Sequence, residues 1–228
     1  MNNRKKAILK AIIKEYVDTA EPVGSSILVK KYRFGLSSAT LRYEMAELEK
    51  RGYLGHLYTS SGRVPTDKGY RYFVDELIEK EVLGLREKTK LERLLDLKVD
   101  QLVKQATKVL ASLTHNLAIL DLEDDFWEVG LEELFAQPEF EDLGEIKCIS
   151  KILDNLEDDF EKLFQETKGE LNIYIGEENP LRGMENCSII ITKLRKGKLG
   201  ILGPKRMKYG RNKSLLDFTS KLLDKVVK

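Results

Sequence analysis

The order of structural signals between residues 35 and 73 constrains the fold most strongly. This segment, GLSSATLRYEMAELEKRGYLGHLYTSSGRVPTDKGYRYF, contains a capped helix, a tight turn between two short apolar stretches, and the start of another helix. Ser37 is placed to cap the first helix and Gly52 to end it. A buried face is predicted by the apolar residues that recur at helical spacing, namely Leu41, Met45 and Leu48.

Two further helices are predicted before this segment. One runs from Arg4 to Asp18, where apolar residues follow helical periodicity, and another opens at Ser25 after the turn sequence EPVG. A hairpin is predicted from strand residues 53–58, a turn at 59–62 and a return strand at 63–64. Three helices followed by a hairpin indicate a winged helix-turn-helix, a DNA-binding fold whose third helix enters the major groove.

The start of the third helix is predicted to be exposed and able to form hydrogen bonds. Ser38, Thr40, Arg42, Tyr43 and Glu44 lie mostly off the apolar stripe. Arg42 is the first choice for base readout, because a guanidinium group matches the two acceptors of guanine. A basic residue on the hairpin suits phosphate or minor-groove contact. On an isolated helix, the same residues would more often be an ordinary solvated face.

The charges of the chain are segregated by region, although the net charge is only +1. Residues 1–72 contain 14 Lys and Arg against 7 Asp and Glu, residues 121–166 contain 3 against 17, and residues 193–228 contain 12 against 2. A basic N-terminal region supplies the attraction to phosphates that a DNA-binding domain needs. The basic C-terminal region is predicted either to form a second nucleic-acid surface or, by preference, to pair with the acidic region.

Several long segments resemble the HrcA family of bacterial repressors of heat-shock chaperone operons. EPVGSS, SSATLRYEMAELEKRGYL and TSSGRVPTDKGYRYFVDEL are similar to its N-terminal domain, and the resemblance returns at AQPEFED, IYIGEEN and LGILGPKRMKYG. It implies a homodimeric repressor that binds double-stranded DNA at an inverted-repeat operator upstream of chaperone genes. It also implies that the chaperonin GroEL maintains the active state.

The resemblance extends the set of candidate site residues. The DNA-binding residues are predicted to be Ser25, Ser26, Ser37, Ser38, Thr40, Arg42, Tyr43, Ser60, Ser61, Gly62 and Arg63. Tyr43 stands where the family usually has Asn, and Tyr58 where it usually has His. The usual dimerising insertion is missing, since the chain passes from LTHNLAILDLEDD almost directly to FWEVGLEELFAQPEF.

The overall expectation is an α+β chain with three parts: a winged helix-turn-helix at 1–80, a long amphipathic linker and dimerisation helix at 81–120, and a reduced GAF-like α+β domain at 121–228. A stretch without Pro or Gly at 85–120 predicts the long helix, with room for one interruption. The GAF-like assignment follows from the resemblance. The remaining predicted elements are helices near 131–135, 143–154, 156–167 and 213–227, and strands at 171–175, 188–194 and 198–202.

Other classes of function have little support in the sequence. His56 and His115 have no accompanying nucleophile or metal-ligand pattern, and Cys148 and Cys187 are read as packing residues in a reducing cytoplasm. We therefore expect no enzymatic activity and no cofactor. No apolar run approaches the ~20 residues of a membrane span. The alternative function is a shortened paralogue that acts as a protein-interaction module without operator binding.

Overall fold

The structure is a computed structural model, and it describes residues 1–58, 61–79, 81–122, 125–165, 171–181 and 183–226. The chain divides into two compact units, which we call the N-terminal unit (residues 1–79) and the C-terminal unit (residues 80–228). Helices and strands are mixed, which confirms the predicted α+β class.

The N-terminal unit contains the three predicted helices, followed by a small hairpin and a fourth helix. The elements are α1 (Asn3–Thr19), α2 (Ser25–Lys31), α3 (Ser38–Lys50), β1 (Leu54–Gly55), β2 (Val64–Pro65) and α4 (Asp67–Tyr72), which continues into a π-helical turn at Phe73–Leu77. The core is apolar and comes mainly from α1 and α3, with Ile8, Leu9, Ile12, Ile13, Leu41 and Leu48 fully buried. Burial of these faces supplies the main stabilisation of a domain this small.

The hairpin is shorter than the sequence predicts. β1 and β2 pair antiparallel, with Leu54 opposite Pro65, and each strand has only two residues. Leu57 and Tyr58, which were assigned to the first strand, lie outside it and are exposed. Two consecutive large side chains fit the pattern of a strand, but within the described residues neither Leu57 nor Tyr58 is paired with another strand.

The C-terminal unit is built around a five-stranded antiparallel sheet with the order β4-β3-β7-β6-β5. Its strands are β3 (Leu117–Leu122), β4 (Asp125–Val129), β5 (Leu171–Ile175), β6 (Cys187–Leu194) and β7 (Gly197–Pro204). Its helices are α5 (Leu85–Glu92), α6 (Val99–Thr114), α7 (Leu131–Phe135), α8 (Leu143–Leu153), α9 (Leu156–Gln165) and α10 (Tyr209–Val226).

Helices cover both faces of this sheet. One face presents Leu117, Ile119, Ile189 and Leu202 to a core that includes residues of α7, α8 and α9. α6 and α10 pack together and contact the strands as well. Strands buried on both faces are apolar at successive positions rather than alternating, as in LAIL of β3 and III of β6.

The long helix predicted at 85–120 is interrupted once, as the prediction allows, but it ends earlier than predicted. The helical segment that begins with α5 ends in a 3-10 turn at Arg93–Asp96, and Leu97 and Lys98 are extended before α6 begins. α6 ends at Thr114 because His115 adopts a left-handed conformation with φ of 54°. Leu117 and Leu120 belong to β3, so their spacing of three reflects a continuous apolar strand rather than one face of a helix.

The other predicted helices and strands of this unit are present with small shifts of their ends. Three strands of this sheet were predicted, and the sheet has five because β3 and β4 were not predicted. The parts of the predicted 156–167 and 213–227 helices that fall at 166–167 and 227 lie outside the described residues.

Candidate nucleic-acid interface

Helix α3 is held at both ends by contacts that the sequence predicts. The Oγ of Ser37 accepts a hydrogen bond from the backbone N–H of Thr40 at 3.1 Å, which caps the N-terminus. At the other end, the N–H of Tyr53 donates to the carbonyl of Leu48 at 3.0 Å. Gly52 between them has φ of 78°, the left-handed conformation that ends a helix in a Schellman motif. Both ends of the candidate reading helix are therefore fixed.

The outward face of α3 forms a narrow strip of exposed side chains. Arg42 is exposed, and the side chain of Tyr43 is 66% exposed. Ala39, Ala46 and Lys50 continue the same exposed face at helical spacing. The small alanines keep the helix backbone accessible beside the two long side chains. This strip combines side chains that can donate hydrogen bonds with short side chains that let the helix come close to DNA. A helix needs both properties to read base edges in a major groove.

Glu44 does not belong to this exposed strip, although the sequence places it near the exposed start of the helix. Its side chain is only 8% exposed, and its carboxylate lies 3.2 Å from Lys5 and 3.5 Å from Arg4. Glu44 therefore joins α3 to α1 by ion pairs. The cause is tertiary: α1 covers this side of α3, so a polar residue there needs charged partners.

The hydroxyl groups predicted to meet DNA are engaged within the protein. Ser25 Oγ and Ser38 Oγ lie 2.9 Å apart and join the start of α2 to the start of α3. Thr40 Oγ1 lies 2.9 Å from the Oγ of the capping Ser37. Ser26 is exposed. Because a hydroxyl offers one donor and two acceptor sites, these groups retain capacity for a further bond while they fix the helix starts.

The basic residues of this unit differ sharply in whether they have acidic partners. Several cations of α1 and α2 form ion pairs within the unit, as Lys5 does with Glu44, Lys6 with Glu76, Lys10 with Glu79 and Lys31 with Glu15. A second set has no carboxylate within ion-pair distance among the described residues: Lys14, Lys30, Arg33, Arg42, Lys50, Arg51 and Lys68. Five of these seven, all except Lys14 and Lys68, lie on or directly after α2 and α3. Most of the positive charge without an acidic partner is therefore on the part of the unit where a DNA backbone would run.

The hairpin is fastened to the turn before α2. Val23 and Arg63 exchange two backbone hydrogen bonds of 2.9 Å, forming an isolated bridge outside the named strands. Gly62 packs so closely that a Cβ atom there would lie 2.6 Å from the carbonyl carbon of Val23 and 2.7 Å from that of Pro22. Gly62 was predicted as a DNA contact, and the structure gives it this packing role.

The side chain of Arg63 turns toward α3 rather than away from the hairpin. It is 17% exposed, and its Nε lies 2.9 Å from the Oε2 of Glu49. Its Nη1 lies 3.2 Å from the Nδ1 of His56. Arg63 is therefore not a free cation at the hairpin. A phosphate contact by Arg63 stays a prediction, and it would have to use the remaining guanidinium N–H groups.

The turn of the hairpin contains two exposed apolar side chains that the sequence did not assign to DNA binding. Leu57 is 61% and Tyr58 64% exposed, and the Oγ of Ser61 holds this turn by donating to the carbonyl of Tyr58 at 2.8 Å. Ser60, also predicted to contact DNA, lies outside the described residues. The sequence does contain a signal for these two residues, because both are large and stand directly before a predicted turn.

In the ranges that the structure describes, no group of His, Cys, Asp and Glu side chains is arranged to hold a metal ion. Burial raises the pKa of the Cys187 thiol to about 12, which keeps it protonated and unreactive. No helix within the described ranges is both long and apolar enough to cross a membrane.

Comparison with known proteins identifies the family of the chain. A family model described as the HrcA protein C-terminal domain matches residues 70–212. The chain belongs to the HrcA family. The heat-inducible transcription repressor HrcA of Carboxydothermus hydrogenoformans is 28% identical over 336 residues, covering 100% of this chain and 98% of that relative. This aligned length exceeds the 228 residues of the chain by 108, so the chain is much shorter than that HrcA protein.

Other HrcA repressors match a shorter segment more closely. That of Clostridium acetobutylicum is 47% identical over 118 residues, or 50% of this chain and 34% of the relative. That of Acetivibrio thermocellus is 45% identical over 117 residues, or 50% of this chain and 33% of the relative. These matches span about a third of each relative. A crystal structure described as that of a hypothetical protein shares the fold, with a TM-score of 0.84, 19% identity and coverage of 99% and 98% of the two chains.

Two distant HrcA-like segments meet within the C-terminal unit. Arg206, in LGILGPKRMKYG, contacts Gln137 and Glu139, in AQPEFED. Its Nε donates to one carboxylate oxygen of Glu139 at 2.6 Å, and its Nη2 donates to the other at 3.1 Å. Lys198 also pairs with Asp121 at 2.9 Å. These two ion pairs join the basic C-terminal region to the acidic region, as the preferred of the two predictions expects.

Proposed function

We propose that this chain is a heat-inducible transcription repressor and that its N-terminal unit is a winged helix-turn-helix that binds double-stranded DNA. The observation that carries the proposal is the exposed strip of α3 together with the five cations without acidic partners on and beside α2 and α3. The family assignment supports the same function, since the matched relatives are heat-inducible transcription repressors. The chain is proposed to act in the cytoplasm and without enzymatic activity.

The proposed division of roles follows from the positions of these side chains. Arg42 and Tyr43 face outward from the first half of α3 and are assigned to base edges in the major groove. Lys30, Arg33, Lys50 and Arg51 are assigned to phosphates, which give affinity without sequence information. Binding should weaken steeply with salt, because each neutralised phosphate releases condensed counterions.

The repressor is proposed to form a homodimer, and the first part of the C-terminal unit is proposed to be the surface where the two copies meet. Apolar side chains are exposed there, including Val82 at 86% and Leu85 at 85%, with Leu95, Leu97 and Val99 nearby in sequence. A surface groove beside Leu95 is lined by charges of both signs, Glu92 and Asp224 against Arg195, Lys221 and Lys225. A patch with both signs around apolar residues suits a second copy related by a two-fold axis.

Sedimentation of the full chain tests this assembly. At micromolar concentration we expect a dimer, and the double substitution of Leu85 and Leu95 with Glu should shift it toward monomer, because two charges would be buried in an apolar contact. The control is Leu57→Glu, a leucine on the hairpin whose exposure of 61% lies between those of Leu85 and Leu95, and it should leave the dimer intact. A wild-type chain that sediments as a monomer at DNA-binding concentrations would contradict the two-fold arrangement.

Hydroxyl-radical footprinting tests operator binding directly. On an inverted repeat from upstream of chaperone genes, we expect two equivalent protected patches separated by about one helical turn, ~34 Å, or a small multiple of it. Each protomer would then read one half-site. Uniform protection along the duplex, without two-fold symmetry, would contradict sequence-specific binding by a dimer.

Two further properties follow from the family resemblance and stand as proposals. The C-terminal unit is proposed to be GAF-like. The chaperonin GroEL is proposed as the partner that keeps the repressor active. Return of operator binding after heating and cooling, measured with and without chaperonin, tests that role; recovery that does not depend on chaperonin would contradict it.

A second candidate function is a protein-interaction module without operator binding. The observations that favour it are the length of 228 residues, far below the 336-residue alignment, and the exposed Tyr43 at a position assigned to base readout. Its signature would be binding to a protein partner that is insensitive to salt, with equal and weak affinity for operator and scrambled duplexes.

A further inference from the structure

The carboxylate of Glu49 connects the reading helix α3 to the hairpin. Its Oε2 lies 2.9 Å from Nε of Arg63, which directly precedes β2, and its Oε1 lies 3.1 Å from Nε2 of His56, which directly follows β1. One side chain near the end of α3 therefore contacts both sides of the hairpin.

The three side chains form a closed triangle. The Nη1 of Arg63 lies 3.2 Å from Nδ1 of His56. The same Nδ1 also lies 3.2 Å from the carbonyl oxygen of Ser61. All three side chains are largely shielded from water, at 17% exposure for Arg63, 25% for His56 and 30% for Glu49. The direction of the Arg63 side chain is consequently fixed by contacts on two sides.

The position of Glu49 on the helix is not explained by helix stability. It lies in the last turn of α3, where the partial negative charge of the helix C-terminus disfavours a carboxylate. Glu47, two residues earlier on the same helix, has no ion-pair partner among the described residues. The contacts to Arg63 and His56 are thus the structural reason for an acidic side chain at position 49.

We propose that Glu49 is a positioning residue for DNA binding that locks the hairpin onto α3 and cancels the charge of Arg63. This inference rests on the proposed function. With Glu49 in place, α3 and the hairpin contact the DNA as one preformed surface. Arg63 then helps to hold the hairpin in position on α3, and its positive charge is neutralised by Glu49. Without the carboxylate, the hairpin is released and Arg63 becomes an additional unpaired cation.

The variants Glu49→Gln and Glu47→Gln test the proposal, because each removes one negative charge from the same helix. Both should strengthen nonspecific binding through the general electrostatic effect. Only Glu49→Gln should also reduce the preference of the full chain for operator over scrambled duplex, by about fivefold, because only it loosens the contact between helix and hairpin. It should also make the slope of log affinity against log salt steeper by about one, as Arg63 gains a phosphate.

Arg63→Gln, made alone and together with Glu49→Gln, completes a double-mutant cycle of these two residues. It should change the salt slope little in the wild type and return the slope to the wild-type value in the Glu49→Gln chain. Equal salt slopes and equal discrimination for Glu49→Gln and Glu47→Gln would overturn the proposal. Circular dichroism and thermal melting of each variant establish that it is folded before binding is compared.

A readout without DNA separates failure of this inference from failure of the proposed function. The ring nitrogens of His56, observed by nitrogen-15 NMR at neutral pH, should have the same chemical shifts in wild type and in Glu47→Gln and different shifts in Glu49→Gln, which replaces the carboxylate beside Nε2. If the His56 signals are the same in all three proteins, the triangle does not hold the hairpin, whether or not the chain binds an operator.

Discussion

Replacing Arg42 with Ala is expected to reduce the preference for an operator over a scrambled duplex by ~1–3 kcal/mol, the contribution of a good bidentate contact to guanine. The side chain is exposed on the outward face of α3, and it has no acidic partner within the described residues. The substitution therefore removes a DNA contact without breaking an ion pair. Fluorescence anisotropy titrations of labelled duplexes measure the two affinities.

The matched control for this prediction is Lys50→Ala. Lys50 is also exposed on α3 and without an acidic partner in the part of the chain that the structure describes, but it lies at the opposite end of the helix. Because Lys50 is assigned to a phosphate, its replacement should weaken binding to both duplexes equally. It should also lower the magnitude of the salt slope by about one. If both variants lose the preference for operator over scrambled duplex to the same extent, Arg42 does not read bases.

Replacing Gly62 with Ala is expected to lower the free energy of unfolding of the N-terminal unit by ~1–3 kcal/mol, the usual cost of overpacking. The added Cβ would lie within 2.7 Å of backbone atoms of Pro22 and Val23, and backbone cannot move aside as a flexible side chain can. Hydrogen exchange of amides in residues 1–58 measures this loss separately from the C-terminal unit.

Gly55→Ala is the control for the hairpin, because its Cβ would meet only the side chain of Thr66 at an ordinary 3.7 Å. Its effect on stability should remain within ~0.5 kcal/mol. A Gly62→Ala chain that is as stable as the wild type but has lost DNA affinity would show that Gly62 acts at the DNA rather than in packing.

The parts of the fold that depend on local signals were predictable from the sequence. Ser37 and Gly52 mark the ends of α3 by hydrogen bonds to their own neighbours, so four or five residues contain the whole signal. The buried stripe of α3 follows from periodicity in the same way. The exposed positions of Arg42 and Tyr43 then follow from geometry, since they lie off that stripe.

The parts that depend on distant residues were not predictable. The direction of Arg63 is set by Glu49, fourteen residues away, and the burial of Glu44 is set by Arg4 and Lys5 on α1. The same limit explains the error at 117–120, where spacing alone fits a helix and only pairing with β4 and β7 identifies a strand. Polar residues that act through tertiary contacts leave no periodic signal.

The central claim is that α3 and the hairpin read DNA sequence, and the ratio of two dissociation constants tests it most directly. The full chain is titrated against an inverted-repeat operator and against a scrambled duplex of the same composition at ~150 mM salt. A specific repressor should prefer the operator by at least ~1,000-fold, with nanomolar or tighter binding. Equal affinities for the two duplexes would contradict the claim.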